Sequence, residues 1–160
     1  MAPTEVLAAQ HFKTFQQVFK GMPIKTAYLS GHTKAAERKE ILEQLKDGSI
    51  HILIGTHALI EENVVFSALG LVITDEQHRF GVKQRQALES KGKSPHVLIM
   101  TATPIPRTMA LSVYGDLDVS FIKGMPPGRH PVKTYVVGSH MLQRIFRFMK
   151  KEMESGHQAY

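Results

Sequence analysis

Apolar residues recur at helical spacing near the start of the chain, as Ala8, Phe12, Phe15, Phe19 and Met22. These steps of four and three predict an amphipathic helix with Thr4 as its cap, stopped by Gly21 and Pro23. A strand from Ile24 to Leu29 leads through Ser30-Gly31 to a second helix from about Thr33, with Ile41, Leu42 and Leu45 inward. Asp47-Gly48 ends it, Ile50 to Ile54 reads as a buried strand, and Gly55-Thr56-His57 opens a short helical piece. The next strand, Leu69 to Thr74, runs directly into Asp75-Glu76-Gln77-His78. A helix from about Lys83 to Ser90 and a strand from His96 to Met100 follow. Strands that alternate with helices and lack hairpin turns predict an α/β fold, a parallel sheet with helices on both faces. Ligands of such sheets gather at the carboxyl ends of the strands, where the polar clusters of this chain fall.

After Ile122 the pattern changes. Gly124, Pro126, Pro127, Gly128 and Pro131 form a stiff connector, which predicts a boundary with 1–123 on one side, 124–131 as linker and 132–160 beyond. A strand from Val132 to Val137 is expected there, followed by a helix with Leu142, Ile145, Phe146, Met149 and Met153 on one stripe. Arg144, Arg147, Lys150 and Lys151 lie largely off that stripe, as a solvated face would.

The 160 residues suffice for a domain with a proper core. No cysteine is present, and the start, MAPTEVLAAQHF, lacks the cationic and apolar regions of a signal peptide. Apolar runs such as Val97 to Met100 are far too short to span a bilayer. A cytoplasmic protein with no membrane partner is the expectation. Twenty Lys and Arg against fourteen Asp and Glu give a net charge of +6. On charge alone, a polyanionic partner and an ordinary basic domain are equally supported.

Two adjacent carboxylates at the end of an apolar strand are costly to hold together unless a cation shares the site. Phosphoryl transfer uses that arrangement, one acid holding Mg²⁺ through water and the next orienting or deprotonating the attacking water. Asp75 is assigned to the metal and Glu76 to the water. Standing alone, the pair would read as an acidic turn. Thr101-Ala102-Thr103-Pro104 follows the next strand, however, and its hydroxyls can hydrogen-bond a neighbouring acid or His78. His78 is placed to link the two clusters, with an ordinary capping or core histidine as the alternative. Gly92-Lys93-Ser94 imitates the end of a phosphate-binding loop, but the first glycine would fall at Ala87 and the segment follows a helix. It reads as a plain loop.

Four segments occur in order: Ala2-Pro3-Thr4-Glu5, Gly55-Thr56-His57-Ala58-Leu59, Asp75-Glu76-Gln77-His78-Arg79-Phe80-Gly81 and Thr101 through Thr108 (TATPIPRT). Together with Gly115-Asp116-Leu117-Asp118 and Pro126-Pro127-Gly128-Arg129 they resemble the superfamily 2 helicases, and most closely the RecG-type helicases that act on branched DNA. The related transcription-repair coupling translocases share TATPIPRT, usually with a different residue after the two acids, and their motor is an alternative reading. The resemblance implies a partial RecA-like motor domain over 1–123 and the first strand and helix of a second one over 132–160. It implies Mg-ATP hydrolysis at Asp75, Glu76 and His78, and coupling to DNA movement at Thr101, Ala102 and Thr103. It implies DNA-backbone contacts at Pro3, Thr4, Gly55, Thr56 and His57, with Ser30 and Gly31 as a further contact. Singly, each of these is more often just a helix cap. Arg79 and Arg107 are candidate phosphate ligands or structural ion-pair partners. The family's phosphate-binding loop and its strand are expected upstream of Met1, and the rest of the second motor lobe and the wedge domain elsewhere in a longer parent. The chain by itself is therefore expected to be inactive. A non-catalytic nucleic-acid-binding module is the alternative function.

Overall fold

Thr4 sets the first element. Its backbone is extended and its hydroxyl accepts the Leu7 N–H at 3.3 Å, a cap worth about 1 kcal/mol, and Glu5 adds a favourable charge in the first turn. The resulting helix α1, Glu5–Val18, ends before Met22. Gly21, at φ +83°, turns the chain away, so Met22 is 55% exposed instead of joining the inward stripe. In the computed structural model, residues 1–102, 118–122, 124, 128–129 and 131–159 are described. Thr103 through Leu117, Pro126-Pro127 and hence Arg107 lie outside the described residues.

Strands β1 (Thr26–Leu29) and β2 (Ile52–Gly55) pair in parallel, with helix α2 (Ala35–Lys46) crossing between them. Strands β3 (Leu71–Thr74) and β4 (His96–Ile99) form a second parallel pair, joined across α3 (Val82–Glu89). Met1 and Ala2 lie between the two pairs. The Met1 amine donates to the Ile73 carbonyl at 2.6 Å, the Met1 carbonyl accepts the Asp75 N–H at 3.0 Å, and the Ala2 N–H donates to the Gly55 carbonyl at 2.9 Å.

Alternation along the strands sorts the core onto both faces. Ala27, Leu29 and Val72 pack with Ile41 and Leu45 of α2 and Leu88 of α3. Tyr28, Ile52 and Ile54 pack on the other face against Ala8, Phe12 and Phe15 of α1. The expected α/β layering is what forms: parallel strand pairing with helices on both faces, a partial RecA-like fold. Gly92-Lys93-Ser94 forms the loop expected, and Gly92 has a packing role in it, since a Cβ there would meet the Leu69 carbonyl at 2.8 Å. Its neighbour Lys91 donates to the Glu61 and Val64 carbonyls.

The chain divides into two compact units, Met1–Gly115 and Asp116–Tyr160. In the second, the strand expected from Val132 to Val137 does not form: residues 131–138 are irregular and exposed. A lone extended segment has no ladder to satisfy its backbone, and the described residues offer it none. Helix α4, Leu142–Glu154, is present and closed by Gly156 at φ +87°. None of its residues is buried, and Phe146 is 61% exposed.

Two predictions follow from this packing. At Gly55 a Cβ would lie 1.9 Å from the Leu29 carbonyl oxygen, so β1 and β2 would have to part. Gly55→Ala should cost about 3 kcal/mol or more in urea unfolding, whereas Gly31→Ala, with open space around it, should stay within about 0.5 kcal/mol. Equal midpoints for the two variants would contradict the close approach. The second concerns the tie between α1 and the turn after β1, where His32 Nδ1 meets Glu5 Oε1 at 2.7 Å. The hydrogen bond to Glu5 raises His32 above its ordinary value, and the hydrogen bond to His32 lowers Glu5 below its own. A raised histidine contributes below its ordinary value and loses that contribution as pH rises through the raised one. A lowered carboxylate contributes above its ordinary value and loses it as pH falls through the lowered one. The tie is therefore whole only between the lowered Glu5 and raised His32 values. NMR titration of the His32 ring should give a midpoint that falls in Glu5→Gln; no change would dismiss the contact.

Candidate functional site

Parallel pairing delivers Ser30, Gly55-Thr56, Asp75-Glu76 and Met100-Thr101 to the carboxyl ends of their strands. Because Thr74 pairs with Ile99, the acidic pair and the start of the Thr101 segment leave the sheet side by side. Two backbone hydrogen bonds fix that junction: the Met100 N–H donates to the Thr74 carbonyl at 2.9 Å, and the Gln77 N–H donates to the Met100 carbonyl at 3.2 Å.

Between those anchors Glu76 adopts a left-handed backbone, φ 50° and ψ 51°. That conformation costs a non-glycine residue roughly 1–2 kcal/mol and needs surroundings that hold it. Asp75 Oδ1 accepts the Glu76 N–H at 2.9 Å, and Asp75 Oδ2 meets His11 Nε2 at 2.8 Å. Glu76 Oε2 is buried with no hydrogen-bond donor among the described residues. His78 Nδ1 lies 3.3 Å from it, near enough for charge pairing but outside hydrogen-bond geometry. A buried oxygen left in this state is costly unless something further occupies the site.

The donor set suits Mg²⁺ with a phosphate. Among the described residues no three acidic, histidine or cysteine side chains form a cation cage. Mg²⁺ is commonly held by one or two carboxylates plus phosphate oxygens and water, which requires no such cage. Pro3, Thr4, Leu7, Glu76, His78 and Arg79 line an open cleft of about 420 Å³ beside the pair. The N-terminus of α1 and the acidic segment therefore face the same space.

The remaining candidates lie along the same edge. The Ser30 hydroxyl is buried and accepts the His32 N–H at 3.2 Å, while Gly31 is exposed. Thr56 is buried and its N–H donates to the Leu29 carbonyl at 3.3 Å. His57 opens one turn of 3-10 helix and lies against the ring of Phe80, with centroids 5.7 Å apart. Thr101 and Ala102 are exposed; Thr103 lies outside the described residues. Two residues were missed by sequence reasoning. Phe80 is buried behind the acidic segment and connects it to His57. His11 falls three residues after Ala8, on the side of α1 that faces the sheet, and that spacing was the available signal.

Comparisons with known proteins bear on this geometry. The family model of the DEAD/DEAH box helicases matches residues 1–111. The ATP-dependent DNA helicase RecG of Bacillus subtilis (strain 168) is 54% identical over the whole chain, which covers 24% of that protein. RecG of Synechocystis sp. (strain PCC 6803) is 51% identical, with 19% of its length covered. The chain thus spans about a quarter or less of these curated relatives. A solved structure of RecG bound to a three-way DNA junction superposes over 99% of the chain and 21% of that protein, with TM-score 0.81 and 46% identity. The DUF1998 helicase MrfA bound to DNA and AMPPNP is alike in fold alone, at TM-score 0.54 and 20% identity over 72% of this chain and 19% of that one. With the family match running through both the acidic strand end and the segment after β4, the chain belongs to the DEAD/DEAH box helicases.

Proposed function

We propose that the chain is the greater part of the first motor lobe of an ATP-dependent DNA helicase of the RecG type. In this reading it couples Mg-ATP hydrolysis to movement along branched DNA during recombination and fork repair. The observation that carries it is the junction of β3 and β4. There Asp75 and Glu76 are held beside the Thr101 segment, with one Glu76 oxygen buried and unsatisfied. Asp75 would hold Mg²⁺ through water, using the lone pairs that Glu76 N–H and His11 leave free. When bound, the ion neutralises charge developing on the transferred phosphoryl group. The Glu76 carboxylate accepts a proton from the attacking water, and His78, 3.3 Å from Oε2, links that acid to the Thr101 segment. Thr101, Ala102 and Thr103 carry the change to the DNA side.

On that side, Pro3-Thr4, Ser30-Gly31 and Gly55-Thr56-His57 grip the phosphate backbone. Such contacts at a helix N-terminus and strand ends position DNA without reading bases. The net charge of +6 suits that partner. Helix α4 belongs to the second motor lobe in this scheme, and a wedge domain of the parent engages the branch. The protein acts in the cytoplasm; among the described residues no helix is long and apolar enough to cross a membrane.

The test is DNA-stimulated ATP hydrolysis by the full-length protein on forked and linear DNA. Glu76→Gln should lower turnover by about 10²-fold or more while leaving nucleotide binding in place. Wild-type turnover in that variant would remove Glu76 from the chemistry and with it this reading of the site.

A further inference from the structure

His11 lies outside the six segments that carry the family resemblance, yet it touches the carboxylate assigned to the metal. We propose that His11 is a positioning residue for Asp75 and the direct mechanical link between the DNA-facing helix α1 and the hydrolytic site; this rests on the ATPase reading given above.

The contact is specific in both partners. A carboxylate can only accept, so the hydrogen lies on His11 Nε2 and points at Asp75 Oδ2, 2.8 Å away. The other oxygen, Oδ1, is taken by the Glu76 N–H. Both oxygens are thereby fixed and the carboxylate plane cannot rotate, while each oxygen keeps one lone-pair direction for a metal-bound water. The two side chains are 34% and 20% exposed, so the bond is sheltered from full solvent competition but open to the site.

The path of the chain gives the bond its second role. The Asp75 N–H is held by the Met1 carbonyl. From there the chain runs through Ala2, Pro3 and the Thr4 cap into α1, and about two turns later His11 returns to the Asp75 side chain. Backbone and side chain of Asp75 are thus both bound to one short stretch, residues 1–11, which also carries the Pro3-Thr4 contact proposed for DNA. A shift of α1 on its phosphate ligand would be transmitted to Asp75 without an intermediate residue. Ala8, Phe12 and Phe15 seat the helix on the sheet, so the displacement is one of a packed element.

In the full-length protein, His11→Ala should raise the Mg²⁺ concentration needed for binding of a non-hydrolysable ATP analogue by about tenfold, the usual effect of removing a residue that orients a metal ligand. The ratio of DNA-stimulated to basal ATPase should fall in the same variant. His11→Gln, whose amide can still donate to Asp75, should recover most of both. DNA affinity without nucleotide should not change in either. Unaltered Mg²⁺ dependence in His11→Ala would overturn the proposal. So would equal losses in both variants accompanied by a lower Tm, which would mark His11 as merely part of the fold. If wild type and Glu76→Gln hydrolyse ATP alike, the ATPase reading itself fails, and that outcome is read separately from the His11 series.

Discussion

A strand can take a parallel neighbour only if the chain crosses back between them, and each crossing returns the next carboxyl end to the same edge. The rest of the structure depends on that constraint. It sets the turns after β1 and β2 side by side and likewise those after β3 and β4, while Met1 and Ala2 bridge the two pairs. It also allows a strained residue to persist. Glu76 holds a left-handed backbone because Asp75 is hydrogen-bonded to Met1 on one side and Gln77 to Met100 on the other. The sheet supplies rigidity, and the turns use it to hold polar groups that would otherwise relax.

The sequence was most informative where periodicity and chemistry coincide. The helices α1, α2 and α3, the four strands and the acidic strand end could all be read, because apolar spacing reports which side meets a core. Termini were less accurate: β1 begins at Thr26 and β2 at Ile52, each two residues later than the apolar run suggests. Apolar character continues into a loop even when no neighbouring strand offers hydrogen bonds. The same reason explains the failure at Val132 to Val137, where β-branched composition had no ladder to join. Met22 obeyed the helical period but lay beyond a glycine turn. Contacts between distant segments were not readable at all. Nothing local to Glu5, His32, His57 or Phe80 reveals their pairing, which depends on how strands order themselves in space.

Helix α1 unites the features of the first unit. Its inner face is core, its cap opens onto the cleft shared with Glu76, its first turn is tied to His32 and its second reaches Asp75. Helix α4 differs: its amphipathic stripe is as clear, but it has no buried residue. Periodicity states that a face wants cover; only the neighbouring chain determines whether it has it.

Met1 and Ala2 run between the two strand pairs and hydrogen-bond to both, Met1 to Ile73 and Asp75 and Ala2 to Gly55. Two residues thereby splice ladders that do not pair with each other among the described residues. Breaking that splice would leave the β1–β2 and β3–β4 pairs as separate leaves, joined through side-chain packing alone.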